Sequence, residues 1–232
     1  SGPLRRAAAA AGIILISALA LALALRGGAS SRVSPVQLAS LADPAEEGLP
    51  DGWTDDPRWS GRYRGGDAVR DDDARAVQAG ALLAELSVAV QAGDTAETEL
   101  LAALLSNRFE GGVGGTTPLR ALRNPGGAPP DSLNALVQRA TDRLVSDGGL
   151  GRKPLETGAW IGAARVAAER RHEPFFRDGR TGGMLDRAER MGRGDDAARG
   201  AVERIRTNLA EGTPRWDALR DDLDALLSAL AS

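Results

Sequence analysis

The side chains best suited to acid–base chemistry lie in one stretch of the second half of the chain. His172 is the only histidine, and Glu173 follows it directly. Such a pair can act as general acid and base, and Glu156, Glu169 or Glu173 could supply the paired carboxylates of a glycosidase. However, no nucleophile partner can be nominated, and no spacing indicates two carboxylates across a cleft. A basic helix end that complements the helix dipole is the simpler interpretation.

Three further patterns resemble ligand sites, but each has a simpler structural explanation. Residues 111–117 (GGVGGTT) are glycine-rich like a phosphate-binding loop, yet they contain no lysine and follow no predicted strand. The acidic run 71–73 could bind a cation, although acidic residues also favour a helix start. Asp221, Asp222 and Asp224 are predicted to lie on the solvated face of the last helix. We therefore predict no bound cofactor and no metal.

The composition excludes several classes of protein. The chain contains no cysteine, so disulfides, thiolate metal sites and cysteine nucleophiles are absent. A single histidine excludes a histidine-rich metal cluster. The net charge of -3 and the pI of about 5.4 argue against nucleic acid as a partner. On these grounds we do not expect an enzyme.

A polar, glycine-containing and proline-containing segment carries an unusual set of aromatic residues. Residues 53–64 hold two of the four tryptophans and the only tyrosine, interleaved with arginines. These residue types are enriched at the hot spots of protein interfaces. They either fasten the segment onto its own domain or contact a partner, which would be a protein or lipid headgroups. The candidate contact residues are Trp53, Arg58, Trp59, Arg62, Tyr63 and Arg64.

Residues 7–25 form an uncharged, apolar run of 19 residues, preceded by Arg5 and Arg6 and followed by Arg26. As a helix this run would extend about 28 Å, close to the thickness of the hydrocarbon core of a bilayer. A cleaved signal peptide is the alternative, because small-x-small sequences occur within the run. A retained membrane anchor is favoured, because the run exceeds the length of a typical signal-peptide apolar region.

The flanking charges predict the orientation of this membrane helix. Residues 1–6 carry two arginines, so the positive-inside rule places them in the cytoplasm and the rest of the chain in the periplasm of a bacterial inner membrane. Two pairs of small residues four positions apart would let another membrane helix approach closely. These pairs are Ala8 with Gly12, and Ala18 with Ala22.

The remaining sequence predicts an all-α protein. Residues 26–69 are interpreted as an extended linker that contains one short helix opened by Ser34 and Pro35. Residues 70–232 are predicted to form an irregular extracytoplasmic bundle of about six helices in antiparallel pairs. In the helix near 155–171, Arg165 is predicted to lie opposite the apolar face of Trp160. The predicted helices cover 71–91, 94–108, 131–147, 155–171, 195–209 and 213–230, with a shorter one at 183–191.

These features together predict a single-span membrane protein with its main domain outside the cytoplasm. We expect a non-catalytic accessory subunit that stabilises a larger complex by contacting integral-membrane subunits and the lipid bilayer. A photosynthetic or respiratory complex would be a natural assembly. The alternatives are a membrane-anchored periplasmic enzyme, a domain that binds peptidoglycan or a solute, and a single-span signalling regulator, which would need a cytoplasmic effector domain.

Overall fold

A computed structural model describes residues 33–50, 53, 72–109 and 118–232. The described helices all belong to one compact unit, residues 34–232. Within the described ranges, no helix has both the length and the apolar character needed to cross a membrane. The predicted cytoplasmic tail and the predicted membrane helix at 7–25 lie outside these ranges, so both stay predictions.

The described residues form ten α-helices and no β-strand, which confirms the predicted all-α class. Nine of these helices fall in the interval that was predicted to hold about six. The difference arises mainly from two helices of five and four residues, too short for apolar periodicity to reveal. In chain order the helices are α1 (Pro35–Ala42), α2 (Asp72–Gln91), α3 (Thr95–Phe109), α4 (Pro118–Leu122), α5 (Pro130–Ser146), α6 (Arg152–Glu169), α7 (Glu173–Phe176), α8 (Arg180–Met191), α9 (Asp196–Ala210) and α10 (Trp216–Leu230).

Local side-chain chemistry explains where several helices begin. Asp94 accepts a hydrogen bond from the backbone N–H of Glu97 at 3.1 Å and thereby caps α3. Asp195 accepts from the backbone N–H of Ala197 at 2.8 Å and caps α9 in the same way. Between α2 and α3, Gly93 adopts a φ of +71°, which a glycine reaches without steric cost. The helix start predicted at Asp94 is confirmed, and of the two residues considered for the start of α9, Asp195 and Asp196, Asp195 is the cap.

The centre of the fold is a pair of helices, α2 and α6, whose backbones touch through glycines. A Cβ placed on Gly158 would lie 2.0 Å from the carbonyl oxygen of Val77, and one on Gly162 would lie 2.7 Å from that of Ala81. A Cβ on Gly80 would meet the α6 backbone just as closely. Val77 lies opposite Gly158, and Ala81, four residues later, lies opposite Gly162, also four residues later. The two helices therefore run parallel. This contact joins helices that are distant in sequence, and the predicted antiparallel pairing did not include it.

Both central helices are surrounded by other helices. α2 buries 16 of its 20 residues and α6 buries 14 of its 18. α1 and α10 pack against both members of the pair, and α3 and α5 pack against α2. A single apolar face was predicted for each helix, but alanine and glycine on the remaining faces are small enough for neighbours to cover those faces too.

The described part of the predicted linker packs onto these helices. α1 buries Leu38 and Ala39, which are 1% and 0% exposed. Gln91 on α2 donates to the backbone carbonyl of Val36 at 3.0 Å. Farther along, Arg170 donates to the carbonyl of Gly48 at 2.9 Å. Residues 34–50 are therefore part of the helical unit rather than separate from it.

Candidate functional site

Three charged side chains meet in the interior, where α2, α6 and α10 come together. Glu85 on α2 is 1% exposed, Arg165 on α6 is 3% exposed, and the Asp224 side chain on α10 is 12% exposed. The Nη1 group of Arg165 donates to Oε1 of Glu85 at 2.8 Å, and its Nε group donates to Oδ1 of Asp224. One guanidinium thus joins carboxylates from two other helices.

Trp53 covers this group from the segment that precedes α2. Its ring centroid lies 4.7 Å from the guanidinium carbon of Arg165, a cation–π contact. The side chain is buried, with 9% exposed. The indole N–H favours the ionised form of the Glu85 carboxyl, although no hydrogen bond of normal geometry forms. We call these four residues, Trp53, Glu85, Arg165 and Asp224, the buried ion cluster.

The environment of Glu85 moves its titration close to neutral pH. Burial raises the pKa of the Glu85 carboxyl from 4.5 to about 7. The nearby Asp224 charge also raises this pKa, while Arg165 and the Trp53 indole lower it. Burial has the largest effect, because a carboxylate with no access to water loses its hydration.

This arrangement can do two things chemically. It can hold and release one proton near neutral pH, at the carboxyl of Glu85. It also specifies how three helices and Trp53 fit together, since a buried charge must meet its partner. The described residues contain no group of three or more metal-ligating side chains close enough to hold an ion.

Only one of the predicted partner-contact residues lies within the described ranges. Trp53 contacts Arg165 of its own domain, which is the intramolecular alternative for this residue. The other five, Arg58, Trp59, Arg62, Tyr63 and Arg64, lie outside the described residues. The predicted membrane-helix packing residues, Ala8, Gly12, Ala18 and Ala22, also lie outside them. Contact of these residues with a partner stays a prediction.

The acidic residues considered for catalysis pair with arginines at separate places. Glu156 accepts from Arg187 at 3.0 Å, and Glu169 accepts from Arg220 at 2.8 Å. These glutamates are thirteen positions apart on α6, which corresponds to about 20 Å along a helix. Glycosidase carboxylates lie about 5–9.5 Å apart. The structure therefore does not bring Glu156 and Glu169 together as a catalytic pair.

A groove of about 260 Å³ lies elsewhere, between the start of α2, the α8–α9 turn and the end of α10. Its polar lining includes Asp73, Arg193 and Asp195. The predicted glycine loop at 111–117 lies outside the described residues. None of the side chains considered for catalysis, His172, Glu156, Glu169 and Glu173, lines this groove. Asp195 caps the start of α9 there.

Two positions in the cluster correct the sequence-based expectation. Asp224 was predicted on a solvated face, but it lies against Arg165, which was itself predicted opposite the apolar face of its helix. The sequence does contain a signal that would have found the pair. Glu85 is the only charged residue from 76 to 93, and Arg165 is the only one from 157 to 168. A lone acid and a lone base in two apolar helices are natural partners.

No protein-family model, curated protein or solved structure matches this chain. The structural class of the domain therefore follows from its own residues. The described residues define an all-α domain built on a parallel, glycine-mediated helix pair with a buried ion cluster at one end of that contact.

Proposed function

We propose that the chain is a membrane-tethered, non-catalytic accessory subunit whose helical domain stabilises a larger membrane complex from the periplasmic side. The observation that carries this proposal is the packing of residues 34–50 onto the helical unit. Only residues 26–33 then separate the predicted membrane helix from the packed domain. Eight extended residues reach at most about 30 Å. A membrane helix at 7–25 would thus keep the domain close to integral-membrane partners.

The internal organisation of the domain supports a structural role. The central pair α2 and α6 is enclosed by other helices, and its spacing is set by backbone contact at the glycines. The charged residues in the interior are engaged with one another. A close-packed interior of this kind resists deformation and can hold a fixed surface towards a partner.

The orientation can be tested with cysteine labelling, because the chain contains no cysteine of its own. The full chain would carry either Gly2→Cys or Ser146→Cys; Ser146 is exposed at the end of α5. Spheroplasts would be treated with a membrane-impermeant maleimide. We expect Ser146→Cys to react in intact spheroplasts and Gly2→Cys to react only after lysis. The reverse pattern, or release of the chain by alkaline carbonate, would contradict the predicted anchoring.

The accessory role is tested by purification from native membranes. The tagged full chain, solubilised in mild detergent, is expected to elute with integral-membrane subunits at a mass well above its own 24.1 kDa. The matched control replaces residues 7–25 with an unrelated apolar helix of the same length. We expect it to stay in the membrane but to retain less partner, because the small-residue pairs are lost. Elution of the native chain as a lone monomer would refute the subunit proposal.

A further inference from the structure

Helix α3 carries apolar side chains on the side that faces away from the rest of the domain. Its other side packs against α2 and α4 and buries Thr98, Leu101, Ala102, Leu105 and Phe109. The outward side holds Ala96, Leu100, Ala103 and Asn107, which we call the α3 strip. Leu100 is 44% exposed, and Leu104, which flanks the strip, is 36% exposed.

The two leucines of α3 form a pair of neighbours. The large apolar side chains that are exposed among the described residues are Leu41, Leu100 and Leu104. Leu41 lies on α1, whereas Leu100 and Leu104 are four positions apart on one helix and therefore adjacent on its surface. Single exposed leucines are common on protein surfaces, but adjacent ones favour a contact surface.

The spacing of the α3 strip fits one further helix. Positions 96, 100, 103 and 107 are separated by four, three and four residues, which is the spacing of the contact positions in a coiled coil. An antiparallel second copy with position 96 opposite position 107 places Leu100 of each copy opposite Ala103 of the other. A large side chain then meets a small one at both places. A parallel copy would instead place Leu100 against Leu100.

The charges of α3 favour the same arrangement. Glu97 lies in its first turn, Glu99 follows, and Arg108 lies in its last turn. In an antiparallel pair the acidic end of each helix lies beside the basic end of the other, and the two helix dipoles also oppose each other. A parallel pair would bring like charges together. The helix is therefore complementary in charge to an antiparallel copy of itself.

We propose that the α3 strip is a self-association surface, through which two copies of this chain pair with their α3 helices antiparallel about a twofold axis. A helix of 15 residues is about 22 Å long and about 10 Å wide. Its face is smaller than the roughly 800 Å² per partner of a stable interface, so the dimer is expected to be reversible. The inference does not rest on the proposed function, because α3 belongs to the helical unit.

The pairing is tested by disulfide cross-linking, since the chain has no cysteine of its own. Full-length Ala96→Cys and Asn107→Cys, both at exposed positions, would be purified in mild detergent, mixed and oxidised. We expect the mixture to give at least tenfold more disulfide dimer than either variant alone. In the proposed pair, identical positions lie eleven residues apart along the helix axis, about 16 Å, which exceeds the reach of a disulfide.

The outcomes of this experiment are decisive. Ser146→Cys, mixed with either variant, measures random collision, because Ser146 is exposed on α5. A mixture that gives no more dimer than this control would overturn the proposal. Dimers that form equally well from Ala96→Cys alone would indicate a different pairing and would overturn the antiparallel arrangement.

The contribution of the strip is tested with a matched pair of leucine variants. In both cross-linking chains, Leu100→Gln is expected to lower the yield of mixed disulfide at least fivefold, because the side chain that fills the space at Ala103 is lost. Leu41→Gln, at the exposed leucine of α1, should leave the yield unchanged. Circular dichroism verifies folding, and Leu100→Ala replaces a variant that does not fold. An unchanged yield in the folded Leu100 variant, or equal losses in both variants, would refute the role of the strip.

Sedimentation equilibrium of the cysteine-free full chain, in density-matched detergent, gives a second readout. We expect the protein mass to rise with concentration from 24.1 kDa towards twice this value, and Leu100→Gln to stay monomeric. A monomer at every concentration would overturn the proposal. If Leu100→Gln instead lost integral-membrane subunits on purification from native membranes, the strip would bind another protein and not a second copy. Failure of the accessory role is distinct, because that role requires subunits of other sequence.

Discussion

The two ends of the α2–α6 contact allow the parallel helices to pack in opposite ways. At one end Gly80, Gly158 and Gly162 remove the side chains altogether, so backbone meets backbone. At the other end Glu85 and Arg165 fill the space between the helices with an ion pair. The glycine end depends on the absence of atoms, and the charged end depends on matched partners. The two ends are therefore expected to respond differently to substitution.

The largest effect is expected when the cation of the charged end is removed. Arg165→Met leaves Glu85 and Asp224 buried near each other without the guanidinium, which costs about 3–5 kcal/mol of unfolding free energy. Urea unfolding followed by circular dichroism measures this loss. The triple variant Glu85→Gln, Arg165→Met and Asp224→Asn should recover most of it, because no unpaired charge remains. Equal instability of the triple variant would show that packing, not charge, dominates this end.

The glycine end is tested by adding one methyl group. Gly158→Ala places a Cβ 2.0 Å from the Val77 carbonyl oxygen, so the helices must separate. We expect a loss of about 3 kcal/mol in the same urea experiment. Gly182→Ala on α8 is the control, since a Cβ there meets nothing within 4 Å. It should be neutral or stabilising by about 0.5–1 kcal/mol. Similar losses of unfolding free energy in both variants would show that the glycine contact between α2 and α6 has no special role in stability.

The charged end should also make stability depend on pH. The pKa of Glu85 is about 7 in the folded state and 4.5 when unfolded, so the folded state binds more protons between these values. Stability is therefore expected to fall as the pH rises through this interval, by about 2 kcal/mol between pH 5 and 7. The contributions of other titrating groups cancel when the unfolding free energy of wild type is compared with that of Glu85→Gln. If the difference between these two free energies does not change with pH, the raised pKa of Glu85 is contradicted.

The smallest effect is expected at a helix cap that takes no part in the α2–α6 contact. Asp195→Ala removes the acceptor for the backbone N–H groups of Ala197 and Ala198, at a cost of about 1 kcal/mol. Asp196→Ala is the matched control, because Asp196 lies in the first turn and does not cap. Thermal unfolding can distinguish the stability of the Asp195→Ala variant from that of the Asp196→Ala variant. A loss at Asp195 as large as that at Gly158 would show that the central pair is not the main determinant of stability.

Much of the fold could be predicted because it depends on local chemistry. Asp94 and Asp195 are capping residues, and each begins a helix at the place that the sequence indicates. Phe175 and Phe176 lie in a helix of four residues, which is too short to show an apolar periodicity. They join Trp160 in an aromatic group, with the Trp160 and Phe175 centroids 6.3 Å apart. Proximity in sequence did not reveal that group.

The candidate site was harder to predict than the helices. Asp224 belongs to an acidic run, which normally indicates a solvated surface. Arg165 resembles other arginines of a chain rich in them. Whether such a side chain faces water or the interior depends on which helix lies beside it. That neighbour is set by the whole bundle and not by the residues around 165 or 224.

The sequence alone determined the helical class, the capped helix start at Asp94, the absence of cysteine chemistry and the apolar run at 7–25, because each depends on residue type and near neighbours. The tertiary structure decided that α2 and α6 lie parallel, that their glycines touch, and that Trp53, Glu85, Arg165 and Asp224 meet. The physical reason is that burial and ion pairing act between residues far apart in sequence, such as Glu85 and Arg165 at 80 positions, and only the packed chain brings such residues together.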